Sequence, residues 1–247
     1  MDMPLVRKRA FLGLIAVGGL ALATYTGALG VPDRFNPFAP LDVLAEPNWF
    51  TSYKLARSRR DPARCLAALA QTGMAYEPLP DRATGPGCGF TNAVRLQNMG
   101  ANGMRLGAPL SLSCPLALSF FMWEHHALQP AAQKHFGERV ASLQHLGSYA
   151  CRNINKGERG APAGSGNTGA RSQHATADAL DVAGITLQSG KRLSVLKDWH
   201  GQGTDAQVLA ELHEGACRFF TGVLGPDYNA VHRDHFHLET DGYWMCR

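Results

Sequence analysis

Two stretches hold the residues that could do chemistry. Ser172-Gln173-His174-Ala175-Thr176-Ala177-Asp178-Ala179-Leu180-Asp181 sets an imidazole ahead of two carboxylates, and His232-Arg233-Asp234-His235-Phe236-His237 adds three imidazoles and a third carboxylate. Imidazole nitrogen and carboxylate oxygen are ligand types that suit Zn2+. A catalytic zinc takes three protein ligands and keeps one position open, and it lowers the pKa of water to ~7. His174, Asp181 and His237 can supply that set if the two stretches meet in space. His235 and His237 stand two apart in an extended stretch, so their side chains share a face and Phe236 turns the other way, toward a core. His235 is then placed to take a proton and pass it to a leaving amine without binding the metal. His232 could fold back over the same pocket, and either Asp234 or His232 could orient His235. Asp178 has poorer spacing than Asp181 and is expected outside the coordination sphere.

The surrounding elements must bring these stretches together. Ala179 to Leu187 reads as a strand, with Gln188-Ser189-Gly190 as a turn and Lys191 to Trp199 as its partner. Asp205 to Val223 has helical spacing and ends at Gly225-Pro226. Upstream, Asp61-Pro62 and Ser113-Cys114-Pro115 each look like a cap followed by an early proline, which starts a helix. The first is expected to stop near Gly73. The second is expected to run to Phe136 with a kink at Pro130, and Val140 to Arg152 reads as extended, with a turn or bulge at Gly147. Ala93 to Leu96 and Met104 to Leu106 read as short strands. Asn153 to Arg171 is glycine-rich, lacks a Gly-Lys-Ser/Thr ending, and reads as a flap beside the site. His125 and His126 lack partners at ligand spacing and read as ordinary polar positions, and His213 reads as solvated or packed on its helix.

Composition sets the wider bounds. The chain has 247 residues, 45% hydrophobic and 18% charged, which is globular rather than disordered. A net charge of +4 suits an anionic surface or polymer, but it is too small and too dispersed to point to nucleic acid. Arg7-Lys8-Arg9 precedes an apolar run from Ala10 to Val31, long enough for a transmembrane signal-anchor, with Ala21-Leu22-Ala23 as a weak cleavage site for the alternative of a signal peptide. Basic flanking places the domain outside the inner membrane, in the periplasm, or makes it secreted if the leader is cut. Residues 32–60 form a proline-rich linker that either lies at the membrane interface or straps onto the domain of residues 61–247. The six cysteines, none in a close pair, read as three disulfides of an exported protein. Pairing in sequence order, 65–88, 114–151 and 217–246, closes the shortest loops.

Ser-x-His-x(6)-Asp followed by His-x-His resembles the zinc metallopeptidase group of lysostaphin-type endopeptidases, D-alanyl-D-alanine carboxypeptidases and the hedgehog domain. More closely, Ser172-Gln173-His174-Ala175-Thr176, Ala179 to Gly184, Leu224-Gly225-Pro226, Asp234 to Leu238 and Cys246-Arg247 resemble the bacterial extensin-like C-terminal domain family. A weaker similarity reaches back to Asn36-Pro37-Phe38-Ala39-Pro40-Leu41. The resemblance implies an α+β fold in which a small antiparallel sheet carries the zinc, with helices packed on one side. It implies ligands at His174, Asp181 and His237 with His235 as catalytic partner. Gly147 to Arg152 is similar to the peptidase segment that supplies a substrate-binding arginine, here Arg152. The sequence departs from the wider motif at Ala177, where that motif has glycine. If the position needs φ > 0, alanine is strained there and catalytic geometry is at stake.

Two functions stay open at this level. One is a zinc peptidase or amidohydrolase acting on peptidoglycan peptides; the other is a non-catalytic zinc module that binds cell wall or a partner protein. A third reading has histidines that merely decorate a disulfide-stapled domain.

Overall fold

The computed structural model describes residues 5–28, 30–100, 103–155 and 169–247. In chain order the helices are α1 (Leu5–Tyr25), α2 (Thr51–Arg60), α3 (Pro62–Leu69), α4 (Cys114–Trp123), α5 (Gln129–Phe136), α6 (Val195–Asp198) and α7 (Thr204–Ala216). The strands are β1 (Ala75–Leu79), β2 (Arg82–Gly85), β3 (Cys88–Phe90), β4 (Ala93–Asn98), β5 (Arg105–Ser113), β6 (Val140–Gly147), β7 (Ala179–Leu187), β8 (Arg192–Ser194), β9 (Gly222–Leu224), β10 (Phe236–Glu239) and β11 (Met245–Cys246). Most of the glycine-rich stretch read as a flap lies outside the described residues.

The sheet is larger than the small antiparallel one expected. Nine strands join in the order β1-β4-β5-β6-β7-β10-β9-β11, with β8 added to β7, while β2 and β3 make a separate hairpin. It is also mixed: β5 with β6 and β11 with β9 run parallel. The excess comes from apolar strands in the first half whose alternation is broken, as at Pro109 in β5, and from the short β9 and β11. Strand β7 is the hub. It pairs with β6 along one edge, and with β10 and then β8 along the other.

Alternation along β7 and β10 separates two faces. Leu180, Val182, Phe236 and Leu238 enter one hydrophobic cluster with Trp123 of α4 and Leu209 and Leu212 of α7. Trp123 is fully buried and its indole N–H donates to the Leu212 carbonyl at 3.0 Å. Asp181, His237 and Glu239 fall on the opposite face.

The caps form where the sequence places them. Asp61 accepts from the amides of Ala63 and Arg64, and Ser113 accepts from that of Leu116. The long helix through Phe136 departs from regularity just before Pro130 rather than at it. A π-helical turn at Glu124–Leu128 joins α4 to α5, absorbing the amide that proline lacks. Helix α7 stops at Ala216 instead of running to Val223, and Phe219 and Phe220 are buried in the turn that leads to β9. The expected partner strand Lys191 to Trp199 is only β8, after which the chain turns into α6.

Residues 32–60 take the strap alternative. Leu41, Val43 and Leu55 belong to the core cluster. The Val43 carbonyl bonds His126 Nε2 at 2.8 Å, and Arg59 donates to Ser119 Oγ and the Phe219 carbonyl. Lys54 and Arg57 tie the strap to itself through the carbonyls of Asp33 and Pro37.

Among the described residues no helix is long and apolar enough to cross a membrane. Arg7, Lys8 and Arg9 lie inside α1 instead of ahead of it, and the helix ends at Tyr25 instead of Val31. A turn follows, with Gly27 at φ 74°. Residues 10–25 cover about 24 Å at ~1.5 Å per residue, short of a hydrocarbon core of ~30 Å.

Three disulfides are present, two of them paired differently from sequence order. Cys217 joins Cys246 as expected, but Cys65 joins Cys114 and Cys88 joins Cys151. Shortest-loop closure fails because α3 packs on the start of α4, and β3 packs beside the segment that follows β6.

Candidate metal centre

The two chemistry-bearing stretches meet. Asp181 and His237 are direct cross-strand partners of β7 and β10, which places both side chains on one face of the sheet. His174 comes from a single 3-10 turn, Gln173–Thr176, capped by Ser172, whose Oγ accepts from the His174 amide. The turn lies over that face, so all three side chains are buried.

Their ligand atoms form a small triangle. His174 Nε2 stands 3.2 Å from Asp181 Oδ1 and 3.2 Å from His237 Nδ1, and His237 Nδ1 stands 2.9 Å from Asp181 Oδ1. Tetrahedral zinc with bonds of about 2.0–2.1 Å separates neighbouring ligands by ~3.3 Å, so the donor set fits that ion.

The outer nitrogens of both rings are committed. His174 Nδ1 donates to the Ser148 carbonyl, and His237 Nε2 donates to Glu239 Oε2 at 3.0 Å. When neutral, each ring therefore turns a lone pair into the triangle, where the Asp181 carboxylate also points. Three electron-rich atoms this close need a cation among them, a proton or a metal.

The charge state follows the same logic. Burial by itself would raise the Asp181 pKa, but bonds and charge from His174 and His237 hold it well below the usual carboxylate range. Burial would lower that of His237, yet the carboxylates of Asp181 and Glu239 push it up to about 9. Without a metal, the raised pKa favours a proton on His237 between the carboxylates of Asp181 and Glu239.

Two further imidazoles flank the triangle. His235 is buried, its Nδ1 is held by Asp234 Oδ1 at 2.9 Å, and its Nε2 reaches to 3.5 Å from Asp181 Oδ1. Asp234, not His232, is therefore its orienting group. His232 donates from Nδ1 to Asn229 Oδ1 at 2.8 Å, and its ring centroid is 5.3 Å from that of His235. Burial, together with the charges of His237 and His235, pushes the His232 pKa down to about 4. Arg152 is exposed at the rim, and its positive charge is among the causes of that depression. Asp178 is outside the triangle as expected; burial raises its pKa against bonds from Ser113 and Thr176.

Sequence reasoning missed Ser148, Asn229 and Glu239. Glu239 was detectable, because His-x-Glu on a strand places both side chains on one face. Ser148 acts through its carbonyl and leaves no side-chain signature. Strand β6 ends opposite Asp181 at Gly147, whose φ of 113° turns the next carbonyl toward His174.

The position of Ala177 does require the left-handed region, at φ 61° and ψ 25°, and alanine occupies it with the triangle intact. An Ala177→Gly variant would relieve ~1–2 kcal/mol of backbone strain and lose the burial of one methyl, worth ~0.8 kcal/mol. Its denaturation midpoint should shift by no more than about 1 kcal/mol in equivalent stability, with metal affinity unchanged. A tenfold gain in affinity would show instead that Ala177 distorts the ligands.

His213, Cys217 and Cys246 also lie close together, but both sulfurs are spent in a disulfide. His213 packs between Trp199 and Phe236 and bonds the Arg247 carbonyl, which is a packing role.

No curated protein and no solved structure matches the chain. A family model described as extensin-like protein C-terminus matches residues 63–247. That span begins in the first turn of α3, takes in His174, Asp181 and His237 and reaches the last residue, and the chain belongs to the extensin-like protein C-terminal family.

Proposed function

We propose that the protein is a zinc-dependent peptidase or amidohydrolase of the cell envelope that acts on peptidoglycan peptides. The observation that carries this reading is the triangle of His174 Nε2, Asp181 Oδ1 and His237 Nδ1, with a third imidazole, His235, beside it that the triangle does not need. Zinc held by these three residues supplies Lewis acidity, which polarises a carbonyl and lowers the pKa of water to ~7.

The rest is the work of the chain. Asp234 accepts from His235 Nδ1, so Nε2 is the nitrogen left to take a proton at the site and return it to a leaving amine. With its depressed pKa, His232 stays neutral at neutral pH and adds no positive charge beside the metal. Arg152, at the rim, is suited to hold a substrate carboxylate. Three disulfides fit an oxidising compartment, and the modest net positive charge fits an anionic wall. The double motif's resemblance to lysostaphin-type and D-alanyl-D-alanine peptidases points the same way.

The test is incubation of muropeptides with the zinc-loaded protein and with His235→Ala. Wild type should cleave them. The variant should keep its zinc while losing about 10²–10⁴-fold in turnover. A wild type that binds one zinc and cleaves nothing would move the reading to a non-catalytic wall-binding module.

A further inference from the structure

We propose that Glu239 is a positioning residue for the metal centre and that Gly222 is the seat that lets it act. The proposal rests on the reading of His174, Asp181 and His237 as metal ligands. His237 can face the triangle with Nδ1 only if its proton resides on Nε2. Glu239 Oε2, 3.0 Å from Nε2, is an acceptor and selects that tautomer. The two residues are two apart on β10 and share a face, so one strand carries both the ligand and its brace.

What holds Glu239 in place lies on the neighbouring strand. Glu239 pairs with Gly222 of β9, and its backbone carbonyl accepts from the Thr221 amide at 2.9 Å. Its side chain lies flat across the space where a residue-222 side chain would stand. A Cβ added at Gly222 would overlap Glu239 Cγ and come 2.5 Å from Oε1 and 2.8 Å from Cδ. Those atoms belong to a flexible, partly exposed side chain and not to backbone. An alanine at 222 would therefore push the carboxylate aside and leave the strand in place.

The two roles make a double-mutant cycle with a definite outcome. Zinc affinity would be measured by competition with a chromophoric chelator for wild type, Glu239→Gln, Glu239→Ala, Gly222→Ala and the double alanine variant. Thermal unfolding of each metal-free protein serves as the control for folding. Glu239→Ala should weaken zinc binding about 10–100-fold. Glu239→Gln, whose amide oxygen can accept the same hydrogen, should recover part of that loss. Gly222→Ala should weaken binding in the wild-type background and add nothing in the Glu239→Ala background, because its target is already gone. Equal affinity in wild type and Glu239→Ala would overturn the role of Glu239. Additive losses in the double variant would overturn the role of Gly222. A wild type that takes up no zinc would instead overturn the metal reading itself.

Discussion

Replacing His237 by alanine is expected to abolish stoichiometric zinc. Structural zinc binding of ~10–16 kcal/mol over four ligands assigns about 2.5–4 kcal/mol to each, and the cluster offers zinc only three protein ligands. His174→Ala should do the same, and metal analysis after gel filtration reads both. Stoichiometric zinc retained by both variants would sink the site. The wild type should also show two opposite pH trends. In the metal-free protein His237 is protonated up to about 9, so zinc must displace one proton there. Apparent zinc affinity should rise about tenfold per pH unit and level off near pH 9. The stability of the metal-free protein should run the other way. A pKa raised in the folded state gives stability that is fully present below the unfolded value of 6.5 and lost as pH passes through about 9. Chemical denaturation of chelator-treated protein between pH 6 and 10 reads this directly, and a flat profile would contradict the arrangement of His237 between two carboxylates.

The meeting of His174, Asp181 and His237 was legible because its constraint is local. Asp181 and His237 sit on strands whose period fixes which residues share a face, and Phe236 announces the opposite face. The caps at Asp61 and Ser113 were legible for the same reason. What the sequence hid depends on contacts distant along the chain. The size of the sheet depends on which strands find one another, and β5 is interrupted by Pro109 in a way that local pattern cannot resolve. Disulfide pairing depends on packing, so loop length misassigned Cys65, Cys88, Cys114 and Cys151. The Ser148 carbonyl was invisible because any residue type could supply it. The end of α1 was missed for the opposite reason: the apolar run continues past Tyr25, while the polar Thr24 and Thr26 and the turn at Gly27 end the helix.

The Cys88–Cys151 bond ties β3 to the segment that cradles His174. Substituting serine for Cys88 and Cys151 should lower stability by about 2–5 kcal/mol, since the bond closes a separation of 63 residues. It should also weaken zinc binding. Cys151 belongs to the segment that cradles His174: Ser148 accepts from its ring, Ala150 donates to its carbonyl at 2.9 Å, and Arg152 accepts from the Ser172 amide at 3.1 Å. Freed from β3, that segment can move, and the His174 ring loses its fixed direction. The paired loss for Cys65 and Cys114 should match in stability but leave zinc affinity unchanged, because that bond joins α3 to α4 within the helical core. Denaturant midpoints and chelator competition on both double variants distinguish the two, and equal zinc affinity in both would show that Cys88–Cys151 has no hold on the metal centre.

The strap that carries Leu41, Val43 and Leu55 into the core has a consequence for what counts as the unit of this protein. The family match starts at Ala63, yet those three side chains fill space between helices that the matched region alone would leave open. The stretch shared by inheritance and the stretch that folds together are therefore not the same length. A fragment trimmed at residue 63 would present a hydrophobic trough where Val43 is now fully enclosed, and would leave His126 without the carbonyl it bonds.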